Sequence, residues 1–271
     1  MFFSSPFKEV IVMSTFSLSC CAETLFTELP IAERVQKIAG LGFLPELWDW
    51  TKHDIDALVA TGVEFSSMTG YIEGDFIENK DKLIATIHES VAVAKRLGVP
   101  RLNLHGTGLD NKGLPVNPRP IVSGRDWLQA YKTLSEIAQI GADNNVMFVL
   151  ENLNRKVDHP GVPFATAEDV YTLISEVNHP NLKMMLDLYH QQIDEGNLIE
   201  SLTRYLPHIG EIQVADVPGR QEPSTGEMNY PAISAHLENI GYQGVIGFEG
   251  FPESDSELAL TRFRNAFSQK K

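Results

Sequence analysis

Four oxygen-bearing side chains close apolar, β-rich runs in the second half of the chain: VMFVL-Glu151, KMML-Asp187, EI-Gln213 and VIGF-Glu249. They are spaced 36, 26 and 36 residues apart, so one falls in each successive strand-plus-helix unit. Three carboxylates brought together repel one another, and the repulsion steepens as the dielectric falls. A divalent cation removes that cost. An oxygen-only set suits a hard ion such as Mg²⁺ or Mn²⁺, with Gln213 adding a neutral carbonyl. One such acid alone would more simply cap its strand or pair with a base. Four at equivalent strand ends point to a metal centre.

Two further residues lie close by in sequence. His190 stands three residues beyond Asp187, which puts an imidazole on the same loop. After Gln213 comes the polar run Ala215–Glu227, whose Pro and Gly punctuation marks a shaped loop of the kind that carries function. Within it, Arg220 could fork onto a substrate carboxylate. The alternative for Arg220 is an internal pair with Glu222 or Glu227.

The elements that must position these groups alternate strictly. Strands are expected over 16–20, 43–47, 63–68, 101–105, 146–151, 182–186, 209–214 and 244–249. Helices are expected over 30–41, 54–60, 80–97, 126–140, 166–177, 193–205, 230–240 and 256–267. The pattern for 80–97 stops at Gly98-Val99-Pro100, and Thr166 caps the helix that follows it. Eight units of about 34 residues match a closed (β/α)₈ TIM barrel of ~250 residues, an α/β fold whose functional groups sit at the C-terminal strand ends. An open doubly wound sheet would announce itself by a glycine-rich phosphate loop. Gly106-Thr107-Gly108 is too short for one.

Composition narrows the function classes. Lys and Arg number 22 against 36 Asp and Glu, for a net charge of −14, which speaks against nucleic acid or an anionic membrane as partner. No apolar run approaches the ~20 residues of a membrane span, and two adjacent cysteines, Cys20 and Cys21, cannot build a disulfide framework. A reducing, cytoplasmic setting fits. Residues 1–14 (MFFSSPFKEVIVMS) lack the charge pattern of a signal peptide and are expected to be an extension before a barrel domain over 15–271, with Met13 an alternative start. Self-association into a homo-oligomer is also open.

At ENLN (Glu151–Asn154), LDLYHQQIDEGNL (Leu186–Leu198), IGEIQVADVPGRQEPSTGEMNY (Ile209–Tyr230) and GYQGVIGFEG (Gly241–Gly250) the sequence resembles the hydroxypyruvate isomerase family of the xylose-isomerase-like barrels. The first strand departs from that pattern: Cys20-Cys21-Ala22-Glu23-Thr24 stands where the family often has an Ala-Asn pair and a Met. The resemblance implies Mg²⁺ or a similar ion on Glu151, Asp187, Gln213 and Glu249, with Glu151 and Glu249 doubling as the acid/base pair. His190 and Arg220 match positions that contact substrate. Related ketose 3-epimerases commonly have His at the strand-seven ligand, so Gln213 points to the isomerase branch. The implied reaction is hydroxypyruvate to tartronate semialdehyde, and the implied partner is a small hydroxy-carbonyl acid or sugar. In such a reaction a carboxylate takes the C–H proton beside a carbonyl, and positive charge holds the enediolate. A 2-oxo-tetronate isomerase or ketose 3-epimerase would use the same site, and a barrel that binds carbohydrate without turnover is the alternative outside catalysis.

Overall fold

The computed structural model describes residues 16–268. The expected extension over 1–14 lies outside them. Eight parallel strands form one sheet in the order β2-β1-β8-β7-β6-β5-β4-β3. They are β1 (Ser17–Cys21), β2 (Leu44–Glu46), β3 (Ser67–Thr69), β4 (Arg101–Leu104), β5 (Met147–Glu151), β6 (Leu182–Asp187), β7 (Ile209–Val214) and β8 (Val245–Phe248). The two ends of that order, β2 and β3, meet through a parallel bridge between Leu47 and Met68, so the sheet is a nearly closed barrel. Pairing here is short because β2 offers three residues, and Pro45 has no N–H to donate. Just before β3, the Ser66 N–H reaches the Pro45 carbonyl at 3.0 Å. The strand expected over 63–68 is displaced toward Thr69, where Leu47 exchanges hydrogen bonds with Ser67 and Thr69.

Helices α1 (Ile31–Gly40), α2 (Ile55–Ala60), α3 (Lys80–Leu97), α4 (Gly124–Asn144), α5 (Ala167–Val177), α6 (Leu188–Asp194), α7 (Leu198–Tyr205), α8 (Tyr230–Asn239) and α9 (Ser256–Ala266) wrap the sheet. Their apolar faces bury against it in one continuous core, from Ile38 and Leu58 through Leu134 and Ile174 to Phe263. Capping boxes open α4 (Ser123 with Asp126) and α5 (Thr166 with Asp169).

Two helices differ from expectation. The one expected to stop before Gly141 runs through it to Asn144, because Gly141 serves packing. A Cβ there would stand 2.9 Å from the Val146 carbonyl and 3.2 Å from the Phe148 ring. The one expected over 193–205 is two helices, α6 and α7. They are broken at Gly196 (φ 70°) and Asn197 (φ 53°), both left-handed, while Asp187 caps α6 through the His190 N–H. The described residues thus hold nine α-helices rather than the strictly alternating eight.

The barrel interior is polar in its middle layer. Arg101 pairs with buried Glu211, Ser67 donates to Glu211 at 3.0 Å, and Ser19 donates to Glu46. Glu46 and Glu211 face each other, and burial first, then the Glu211 charge, drives the Glu46 carboxyl well above its usual range.

Candidate active site

At the C-terminal ends of the strands a cavity of about 370 Å³ opens, lined by Glu151, His190, Arg220 and Glu249 together with Trp48, Trp50, Tyr71, Asn103, His105 and His159 among others. Glu151 ends β5 and Asp187 ends β6. The two ends are clamped by Asn152, whose side chain donates to the Asp187 carbonyl and accepts from its N–H, both at 2.9 Å. Glu249 follows β8 and extends its ladder by one bond, from its N–H to the Val214 carbonyl. Asp187 and Gln213, each 1% exposed, are not part of the cavity lining.

The loop after β7 is built around buried Asp216. Its carboxylate accepts the N–H groups of Val217, Ser224, Thr225 and Met228. This folds the loop back on itself so closely that a Cβ on Gly226 would fall 2.1 Å from the Val217 carbonyl. Arg220 sits at its tip with φ 53°, its carbonyl gripped by the Phe251 N–H at 2.7 Å. Its guanidinium therefore points inward, 3.1 Å from Glu249 and 3.7 Å from Asp187. Neither Glu222 nor Glu227 is its partner: Glu222 binds Arg262, and Glu227 accepts from Gln192.

The carboxylates experience opposite fields. Burial pushes Glu151 upward, but the hydrogen bond and charge of His105, the Asn103 amide and Arg220 outweigh it, and its net shift is down. Glu249 is pushed up to about 7, by burial first and then by Glu151, against the pull of Arg220. Asp187 rises well above its ordinary value, chiefly through burial. Arg220, held by Glu249, Asp187 and Glu151, is raised in spite of its burial.

Glu151, Asp187 and His190 bring one donor atom each to within 4.8 Å of the others. Their roles differ. Asn154 accepts the Val157 and Asp158 N–H groups through Oδ1, which leaves its Nδ2 to donate to Asp158 and, at 2.7 Å, to His190 Nδ1. His190 is thereby set as the Nε2–H tautomer. That N–H, 3.7 Å from Asp187 and 3.9 Å from Glu151, is a donor to an oxygen rather than a metal lone pair. Burial holds the ring neutral.

Gln213 donates Nε2 to Glu46 at 2.9 Å and to Glu211 at 3.0 Å. Its carbonyl Oε1 and Asp187 Oδ2 are buried with no hydrogen-bond partner. Gly247 makes room for this amide, since a Cβ there would meet Gln213 Oε1 and Glu46 Oε1 at 2.4 Å. Two bare acceptor oxygens beside two acids pushed upward form a donor set that a hard divalent cation fits.

Several lining residues carry no mark in the sequence as functional. Asn103 on β4 and His105 just past its end share one face, and the RLNLH alternation shows that face, yet not what it meets. His105 binds Glu151 at 3.1 Å and Tyr71 at 2.9 Å, and Tyr71 donates to the Thr107 carbonyl at 3.0 Å. Glu23 falls in the segment that departs from the family pattern. It shapes the rim by accepting the Trp48 and Asp49 N–H groups and binding His53 at 2.9 Å.

The xylose isomerase-like TIM barrel family model matches residues 39–266, and the chain belongs to that family. Within it the chain is similar to hydroxypyruvate isomerase of Escherichia coli, 32% identical over 61% of this chain and 65% of that enzyme. It is also 36% identical to 2-oxo-tetronate isomerase of Cupriavidus necator, over 48% of this chain and 49% of that one. Among solved structures, AP endonuclease family 2 from Brucella melitensis superposes with a TM-score of 0.78 at 25% identity, over 93% of this chain and 99% of that one.

Proposed function

We propose that the protein is a metal-dependent aldose–ketose isomerase of small hydroxy-carbonyl acids, working through an enediolate. Hydroxypyruvate to tartronate semialdehyde is the reaction to which the resemblance and the E. coli relative point. A 2-oxo-tetronate isomerase or a ketose 3-epimerase would use the same groups. The observation that carries this reading is that Glu151, at the end of β5, and Glu249, just past β8, face one cavity together with His190 and Arg220. Two carboxylates on one cavity can flank a bound substrate and serve as its base and its acid.

Glu151, kept ionised, takes the proton from the carbon beside the carbonyl. The C–H electron pair becomes the carbon–carbon double bond of the enediolate, and the carbonyl oxygen gains the negative charge. A proton returned to the neighbouring carbon from Glu249 completes the transfer, while the hydroxyl proton passes between the two oxygens. The His190 Nε2–H and the Arg220 guanidinium lie where those oxygens gather charge. Glu151, Asp187, Gln213 and Glu249 would hold the cation, Mg²⁺ or Mn²⁺, and when bound it supplies Lewis-acid stabilisation of developing negative charge.

Two buried, unpaired cysteines and an acidic chain suit a cytoplasmic enzyme. Among the described residues, no helix is long and apolar enough to cross a membrane. The test is a panel of hydroxy-oxo acids and ketoses offered to chelated protein with and without Mg²⁺ or Mn²⁺. Turnover should require the cation. Full turnover in rigorously metal-free protein, or none on any member of the panel, would overturn the reading.

A further inference from the structure

His159 is eight residues past Glu151 and 5% exposed, and it lines the same cavity. Its Nδ1 lies 2.6 Å from the Gly113 carbonyl. A carbonyl only accepts, so Nδ1 carries the proton, and Nε2 is left as a bare lone pair. That Nε2 is buried without a hydrogen-bond partner. Burial also keeps the ring neutral. Turning the ring over would break the bond to Gly113, and the ring packs edge-on against His190 with centroids 5.1 Å apart.

A second cavity atom is in the same condition. Asn103 gives its Nδ2 to Glu151, and its Oδ1 is buried and unpartnered. Two acceptors that cannot donate ask for two ligand donors, and on a small oxo acid or ketose only hydroxyls donate. Hydroxypyruvate has one hydroxyl. The cavity, at about 370 Å³, lies within the ~300–1,000 Å³ usual for ligand sites and has space for a longer chain than three carbons. On its aromatic side, the Trp50 Nε1–H is a further buried group without a partner.

We propose that His159, anchored on the Gly113 carbonyl, accepts a hydrogen bond from a substrate hydroxyl outside the reacting carbon pair. The site then takes polyhydroxylated oxo acids or ketoses of four or more carbons in preference to a three-carbon acid. This assignment of substrate class rests on the isomerase reading above. His159 is a specificity residue here. It reads a hydroxyl that does not react, so its loss should cost discrimination and spare the proton transfer itself. A site that hydrogen-bonds a hydroxyl penalises the analogue lacking it, because the protein atom is left buried and unpaired.

The test pairs two unreactive ligands that differ by one hydroxyl, 2,3,4-trihydroxybutanoate and its 4-deoxy analogue, titrated by calorimetry into Mg²⁺-supplemented protein. The wild type should bind the trihydroxy acid on the order of tenfold more tightly, the scale of one well-made hydrogen bond to a buried partner. His159→Asn keeps a donor for the Gly113 carbonyl and lacks the distal acceptor, so the ratio should fall to about one. His159→Gln places an amide near the Nε2 position and should restore part of it. On ¹⁵N-histidine-labelled wild type, the trihydroxy acid alone should shift the His159 Nε2 resonance, a readout that needs no variant to fold. Equal binding of both acids by the wild type, or a ratio unchanged in His159→Asn, would overturn the proposal. If no substrate is turned over at all, the isomerase reading fails, while the binding ratio still judges His159.

Discussion

Glu151 and Glu249 are the same side chain in different surroundings, and the difference is made by neighbours. His105 and Asn103 hold Glu151 in its ionised form, whereas Glu249 is ion-paired with Arg220 and still remains high, at about 7. Each should therefore be needed for a proton that the other cannot replace. Glu151→Gln and Glu249→Gln should each lower turnover by about 10²-fold or more, the scale of general acid–base catalysis. At saturating metal, at least one variant should still exchange a substrate C–H proton with deuterated water, measured by NMR. Near-normal turnover of both at high metal would remove the acid/base assignment, because metal saturation rescues only a ligand role. These strand-end oxygens are legible in the sequence because each closes an apolar run, and β periodicity fixes where such runs end. Arg220 is legible as a candidate, but its partner is not. The left-handed turn at Arg220 and the grip of Phe251 on its carbonyl aim it at Glu249 rather than at Glu222. His159 is invisible for a related reason: its meaning comes from the Gly113 carbonyl, 46 residues earlier on another loop.

The elements show which local signals tertiary packing overrides. Gly141 reads as a helix stop, since glycine in a helix costs about 1 kcal/mol relative to alanine. It is retained inside α4 because the Val146 carbonyl and the Phe148 ring occupy the space a methyl would need. Gly141→Ala should therefore destabilise the fold by about 1–3 kcal/mol in denaturant titrations, despite the better helix propensity. A gain in stability would show that the strand and helix can separate freely. By contrast, Gly98 is a true stop, with φ 71°, and Lys80–Leu97 ends where the sequence puts it. Asp75 is a different kind of link, joining the loop after β3 to the loop after β4. It accepts from the Ile77, Glu78 and Asn79 N–H groups and from the Asn79 and Asn117 side chains. Burial would raise its carboxyl, but these bonds prevail and lower it below 3.8. The folded state then binds fewer protons than the unfolded one at this site. Its contribution is full above about pH 4 and is lost as the pH falls through the folded value. Asp75→Asn should cost about 1–3 kcal/mol near neutrality. The gap between wild type and variant, followed by thermal melting, should narrow below about pH 4, and a constant gap would contradict the charge-based account.

At the scale of the whole molecule, the barrel gathers acids at one end of a chain that already carries a charge of −14. Asp187, Glu151 and Glu249 come together there, with Arg220 as the cation that contacts both Asp187 and Glu249. Folding in the absence of a cation therefore works against that crowding, and an ion bound only by the folded state should stabilise it by mass action. At a free concentration one hundred times Kd the gain is about 2.7 kcal/mol. For a chain of this size, that is a rise in melting temperature of roughly 5–10 °C. Mg²⁺ or Mn²⁺ should produce this rise, and NaCl at matched ionic strength should not, because screening of the surface charge is not site binding. Asp187→Asn separates the two roles an acid can have at a strand end. Asparagine still caps α6 through the His190 N–H, so the cap is kept while a buried negative charge is removed. Without divalent cation the variant should melt at or above the wild-type temperature. With the cation, it should lose most of the rise. A purely structural Asp187 predicts the reverse, a lower melting temperature with an intact response to Mg²⁺, and that result would withdraw Asp187 from the metal site.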